Sequence, residues 1–339
     1  GHQLTAAEII TAARAQIGET YYIPLPSTQV KIWADTQTNL AENDILRVGI
    51  ALTVTAPDTL VYWDHWEDGF EFDIQDPASP GTGLGAEIWG DQDCANGYRP
   101  DIVGPCAAAA DSFVAGDVLI LTSDVPVPGD PGVRNPAQIR FDGGDKLFST
   151  DLLAVTYASW PSSGIEAQLG DAIEVFPSEK WGSDFTSPVG TNVPGGGAAF
   201  EFVALSIMAR ENGTRVDVDT NGAIAGGVVS AYTLDEGESV LVQGILVGAS
   251  VAASSATGIG TRAVQVDILT ANSASTYEGR WFNLPSTNRW GTSYWAPAGT
   301  TVAGATNAAI VYVHNPGAAS INVSQADLSD GNVAVLFVH

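Results

Sequence analysis

The feature that most constrains this chain is a motif that occurs twice. Residues 174–190 read EVFPSEKWGSDFTSPVG and residues 282–299 read FNLPSTNRWGTSYWAPAG, each running Pro-Ser, Trp-Gly, an aromatic and Pro-x-Gly. Trp181 and Trp290 stand 109 residues apart, about the length of one β-sandwich module. The segments that follow correspond too. FEFVALSIMARENGTRVDVDTNG (200–222) and NAAIVYVHNPGAASINVSQAD (307–327) each read as an apolar strand, a turn at Asn-Gly or Asn-Pro-Gly, and an alternating second strand. YYIPLPS (21–27) followed by ILRVGIALTVTAPDTLVYWD (45–64) has the same grammar.

Further strand-like runs, rich in Val, Ile, Leu, Thr and Tyr, lie at 117–125, 152–160, 238–247 and 263–269. With 37 Gly, 18 Pro and 15% charged residues, the composition suits many short strands joined by turns. Only residues 5–17 read as a helix, Thr5 and Glu8 forming a capping box. The expected fold is therefore all-β: tandem β-sandwich modules with a short N-terminal extension. Residues 1–20 are the extension, a helix or assembly tail. Residues 21–188 form a first module with an acidic, disulfide-closed insertion (67–112), and 189–298 a second. Residues 299–339 are a partial third module or terminal strands, and the ending AVLFVH inside a strand pattern suggests a piece of a longer protein. Trp181 and Trp290 read as plugs at module ends rather than ligand platforms.

Charge narrows the function classes. Against 39 acidic side chains stand 13 basic ones, a net charge of −26, which repels phosphate backbones and anionic lipid and argues against nucleic-acid or membrane partners. No run reaches the roughly 18 apolar residues of a membrane-spanning helix. Cys94 and Cys106 sit in DQDCANGYRPDIVGPC without a suitable His neighbour for zinc. A disulfide closing that loop is the expectation, worth about 3 kcal/mol in the chain-entropy description, and it fits an exported protein.

The densest chemistry is VYWDHWEDGFEFD (61–73). Asp64, Glu67, Asp68 and Asp73 are candidate calcium ligands at the mouth of an insertion rich in carboxylates and holding Arg99 as its single base. A second candidate is Asp217, Asp219 and Asn221 in DVDTNG, which resembles the start of an EF-hand loop; its twelfth position is Val228 rather than Glu, and Asn221-Gly222 also reads as a plain hairpin turn. Strand alternation sends Tyr62, Asp64 and Trp66 to one face and Val61, Trp63 and His65 to the other, separating His65 from its adjacent carboxylates. In FDGGDK, Asp142 and Asp145 read as anchors of a turn. There is no G-x-S-x-G, H-E-x-x-H, P-loop or dinucleotide fingerprint, so no enzyme is expected. Asn212-Gly-Thr and Asn322-Val-Ser are glycosylation sequons, and Trp63, Trp89 and Trp295 are the aromatics a glycan-binding surface would use.

The succession P-S-x-x-W-G-x-x-[aromatic], a hairpin, and the strand D-E-G-E-S-V-L-V resembles the N-terminal domain of IgG Fc-binding proteins. It is still more similar to β-rich modules of bacterial extracellular proteins, through Y-W-D-H-W-E-D-G, F-D-G-G-D-K and E-G-E-S. The resemblance spans roughly residues 20–300. It implies an exported or surface-displayed protein with a scaffold or adhesive role; no residue carries immunoglobulin binding across. The resulting expectation is a structural or adhesive surface protein that self-associates into a filament or layer, through an unpaired terminal strand or tail. The alternative is a carbohydrate- or protein-binding module of an adhesin, and a secreted hydrolase ranks third.

Overall fold

The computed structural model of the chain describes residues 18–37, 46–82, 85–125, 134–161, 172–193, 200–222, 229–271, 279–291, 310–313 and 335–338. The expected helix at 5–17 lies outside them. In chain order come β1 (Glu19–Tyr22), α1 (Ser27–Gln37), β2 (Leu46–Val54), β3 (Val61–Asp64), β4 (Glu87–Trp89), β5 (Val118–Val125), β6 (Lys146–Ser149), β7 (Leu153–Pro161) and β8 (Ala172–Glu174). There follow β9 (Asp184–Thr186), β10 (Phe202–Ala209), β11 (Thr214–Asp219), β12 (Val229–Leu234), β13 (Ser239–Gln243), β14 (Ser250–Ser255), β15 (Val264–Ala271) and β16 (Gly279–Leu284). The last two are β17 (Ile310–Val313) and β18 (Val335–Val338), paired in parallel.

The all-β expectation holds. Among the described residues there are four small antiparallel sheets, of order β5-β2-β7-β8, β1-β6-β3-β4, β13-β10-β15-β16 and β12-β11-β14-β9, in a propeller-like ring. Adding eight to each strand number of the first two orders gives the third and, read from its other edge, the fourth. Two large apolar clusters lie between the sheets. One joins the β2 and β3 sheets through Val48, Ile50, Leu52, Val61, Trp63, Leu147, Val155 and Tyr157. The other joins the β10 and β11 sheets through Leu205, Ile207, Val216, Val218, Val251 and Val266. β15 is buried along its whole length and β10 nearly so. Their alternate residues Ala204, Leu269 and Ala271 reach back into the first cluster, so one sheet serves both cores, whereas freestanding sandwich modules would each keep a core of their own.

Two local expectations change. The pairs 45–64 and 200–222 are not hairpins: β2 pairs with β5 and β7, β3 with β4 and β6, and β10 and β11 likewise part into different sheets. The long apolar strands find partners of matching length elsewhere, nine-residue β7 for β2 and eight-residue β15 for β10, and the turn becomes a corner between layers. A helix at 27–37 was not anticipated, because Thr, Val, Ile and Trp are indifferent helix formers. It starts where the amides of Gln29 and Val30 donate to the Pro26 carbonyl (2.9 and 3.1 Å), and it buries Val30 and Trp33, three residues apart, in the first core.

The two copies of the opening motif adopt the same local form. Each has a short 3₁₀ turn, Ser178–Lys180 or Thr287–Arg289, and then a Trp whose indole N–H donates five residues back, Trp181 to Phe176 O (3.3 Å) and Trp290 to Pro285 O (3.2 Å). Trp181 is buried against Tyr22 and Met208, as a plug should be.

Candidate functional site

Strand β3 ends at Asp64, opposite Lys146 of β6, and the chain then turns through Trp66 to Gly69. Just before β6, the wholly buried Asp145 gathers four donors. Its Oδ2 accepts Trp63 Nε1 (2.9 Å), His65 Nδ1 (3.2 Å) and the Asp142 amide (3.4 Å), and its Oδ1 accepts the Trp66 amide (3.0 Å). The anchoring role expected of Asp145 is thus visible as one carboxylate stapling the end of β3, its turn and the FDGGDK loop. His65 Nδ1 shares its proton with the Arg140 carbonyl at 2.9 Å. Burial opposes charge on His65, but the Asp145 carboxylate, with Glu87 and Glu67 behind it, outweighs burial and raises the imidazole to about 9. At neutral pH His65 is an imidazolium, the cluster's own internal cation.

Further buried carboxyls surround this pair. Burial, then the charge of Asp145, pushes Glu67 up to about 8, with His65 and Arg140 (4.0 Å) offsetting part of it. Burial, Asp145 and Glu67 push Asp142 well up. Burial raises Asp64 to about 7 against the Glu71 amide (2.8 Å) and the charge of Lys146, and it raises Asp68 as well. Asp64 Oδ1, Glu67 Oε2 and Asp68 Oδ1 are buried oxygens without a hydrogen-bond partner among the described residues. Carboxyls so placed hold protons that water-exposed ones release.

For metals, one group of three emerges among the described residues: His65, Glu67 and Asp145, with ligating atoms all within 4.8 Å of one another. This corrects the separation of His65 from its neighbours; alternation ends with β3 at Asp64, and the turn carries Glu67 back beside the ring. Asp64, Glu67, Asp68 and Asp73 do not form such a group. Asp73 is exposed and accepts the Gln75 amide (3.0 Å) within its own turn.

The same region is a junction. Lys146 Nζ lies 2.6 Å from Glu236 Oε1, which also accepts the Tyr22 hydroxyl at 2.6 Å. The ammonium sits 5.7 Å from the Tyr22 ring and 5.4 Å from the Phe70 ring. Gly237, at φ 75°, lies against the Phe70 and Trp66 rings, and Arg134 covers both from 5.2 and 4.1 Å. The segments YWDHWEDG, FDGGDK and EGES, far apart in the chain, meet here. Glu236 and Tyr22 were absent from the candidate residues, although EGES was a visible motif; partnership across more than 200 residues leaves no trace in spacing.

The remaining candidates fall apart from this site. Trp63 and Trp89 are fully buried and stacked on each other (5.3 Å, 14°), so neither offers an exposed glycan platform. Asp217 pairs with Arg215 (2.7 Å), and Asp219 accepts the Asn221 amide (3.1 Å). Exposed Asn212 lies between β10 and β11 and accepts the Glu236 amide (3.0 Å). Trp295 and Asn322 lie outside the described residues. The expected Cys94–Cys106 disulfide is formed, with Cα atoms 5.9 Å apart. Much of the acidity around it is used internally: Asp111 accepts the Gly90 and Arg99 amides (3.0 Å each), and Arg99 pairs with Asp101 (2.9 Å) and Asp117 (2.7 Å) over the Phe113 ring.

A comparison with family models places the second half of this architecture. Residues 171–338 match the IgGFc binding protein family. No curated protein and no solved structure matches the chain. The resemblance carried by the Trp-Gly and EGES motifs is borne out, and the matched stretch runs from the start of β8 to the end of β18. It includes Glu236 and Gly237 but not Asp64, His65, Asp145 or Lys146. The junction therefore ties the half that matches the family model to a preceding half of the same strand order.

Proposed function

We propose that the chain is an exported structural or adhesive surface protein whose partners are other proteins. The observation that carries this reading is the match of residues 171–338 to a family named for binding IgG Fc. The disulfide supports an oxidising compartment, and among the described residues no helix is long and apolar enough to cross a membrane. Catalysis is not part of the proposal. The finer reading is self-association of a tandem two-unit chain, supported by the strand orders that coincide on a shift of eight and by sheets that, among the described residues, end in unclosed edges. Calcium is proposed at Asp217, Asp219 and Asn221, where the buried Asn221 Oδ1 has no partner among the described residues; a calcium-dependent rise in Tm that Asn221→Ala abolishes tests it.

The main test is direct. The purified chain is immobilised and exposed to IgG Fc and to a panel of extracellular proteins, while antibodies to the chain probe intact producing cells. Saturable protein binding and surface labelling support the proposal; retention inside the cell, or no protein ligand in the panel, counts against it. Electron microscopy of the native material reads the finer proposal, filaments or a layer supporting it and monomers opposing it.

A further inference from the structure

The outer face of the β5-β2-β7-β8 sheet is not built like a face that meets water. Its inward residues, among them Val48, Ile50, Leu121 and Tyr157, fill the first core. The opposite face should then carry polar and charged groups. Instead the cross-strand rows read Val118, Thr53, Ala154; then Ile120, Ala51, Thr156; then Thr122, Gly49, Ala158. Val118 and Ile120 are 53% and 71% exposed. The Trp160 ring lies over Gly49, where a Cβ would collide with it, so the face stays flat and the indole remains 37% exposed. Its charges are at the margins: Arg47 and Asp124, which neutralise each other at 2.6 Å, and Glu174 on the outermost strand. The outer face of the β11 sheet, by contrast, carries Arg215, Asp217 and Asp219 along an inner strand.

We propose that this face docks a second copy of the chain, giving the self-association reading above, on which the inference rests, a defined surface. Electrostatics selects the occupant. With a net charge of −26, two copies repel over most of their surfaces, and they approach at least cost where each is uncharged. A basic partner would gain nothing from this face and would go to the acidic remainder. Extent sets the strength. Nine-residue strands β2 and β7 are about 30 Å long, and four strands are about 19 Å wide, so roughly 500 Å² per copy is available. That is about 1,000 Å² in total, the lower limit for specific contacts, so the association is reversible and concentration-dependent.

Sedimentation velocity of the intact chain over a wide concentration range, at low and high salt, tests this. The wild type is expected to move from monomer to dimer as concentration rises, and more readily at high salt, where repulsion is screened. Ile120→Lys is expected to weaken association by about tenfold or more, placing a charge at the centre of the contact. Val229→Lys, on an equally exposed position (63%) of the charged β11 sheet, leaves it unchanged; circular dichroism confirms the fold of both variants. Undiminished dimerisation by Ile120→Lys overturns the surface but leaves self-association standing. A wild type that stays monomeric at all concentrations and salts overturns both. Loss of a heterologous protein ligand on Ile120→Lys, with the wild type monomeric, transfers the face to that ligand and overturns the second copy as occupant.

Discussion

Asp145 is a single carboxylate on which Trp63, His65, Trp66 and Asp142 all depend, and replacing it removes more than one hydrogen bond. Asp145→Asn leaves the buried His65 without its counter-charge and puts an amide donor among donors. The expected cost is about 3 kcal/mol or more, read as a lower midpoint in urea unfolding at unchanged slope. The carboxyls around it set the pH response. Asp64, Glu67 and His65 all have folded pKa values above their ordinary ones, about 7, 8 and 9, so the folded state binds more protons than the unfolded one. Stability therefore falls as pH rises, from about 4 through 7 for Asp64 and through 8 for Glu67. The His65 contribution is complete below about 6.5 and lost as pH approaches 9. Tm is expected to be higher near pH 5 than near pH 9, and Glu67→Gln should flatten that slope. The role of Asp145 as an anchor was legible in FDGGDK, since a short carboxylate beside two glycines suits a turn, whereas Asp142 lends that anchor only its amide; that His65 would join them was not legible, because alternation says nothing beyond the last strand residue.

At the scale of elements, turns carry the most information and the most risk. The β12–β13 turn places Gly237 at positive φ with no room for a Cβ against Phe70 and Trp66. Gly237→Ala should lower stability by about 1–3 kcal/mol and loosen the Lys146–Glu236 contact, visible as faster amide exchange around Glu236. In the insertion, Cys94→Ser with Cys106→Ser is expected to cost up to about 3 kcal/mol and to admit protease between residues 94 and 106, while Asp111 and Arg99 keep the rest of the loop in place. Strand positions were readable from composition and alternation at β2, β5, β10 and β11. Their partners were not: an Asn-Gly or Pro-Asp turn serves a corner as well as a hairpin, and β2 and β10 pair with β7 and β15, strands more than 50 residues away. Helix α1 was missed for a related reason, since Val30 and Trp33 are held by the core they enter rather than by their own propensity.

For the whole molecule, charge and the shared sheet dominate. A surplus of 26 negative charges is a self-repulsion that salt relieves, so Tm should rise with ionic strength before any specific ion is invoked. The shared local geometry of the Trp181 and Trp290 motifs was legible, although they bracket β9–β16 rather than open the two halves. The way the halves are joined was not, because it rests on Ala204, Leu269 and Ala271, small residues whose sequence pattern is that of any buried strand. They give the proposed surface role a mechanical meaning. Because the β10 sheet faces both cores, neither can be peeled away under shear without exposing a wall of the other, so the molecule should rupture in one high-force event rather than yield in two steps.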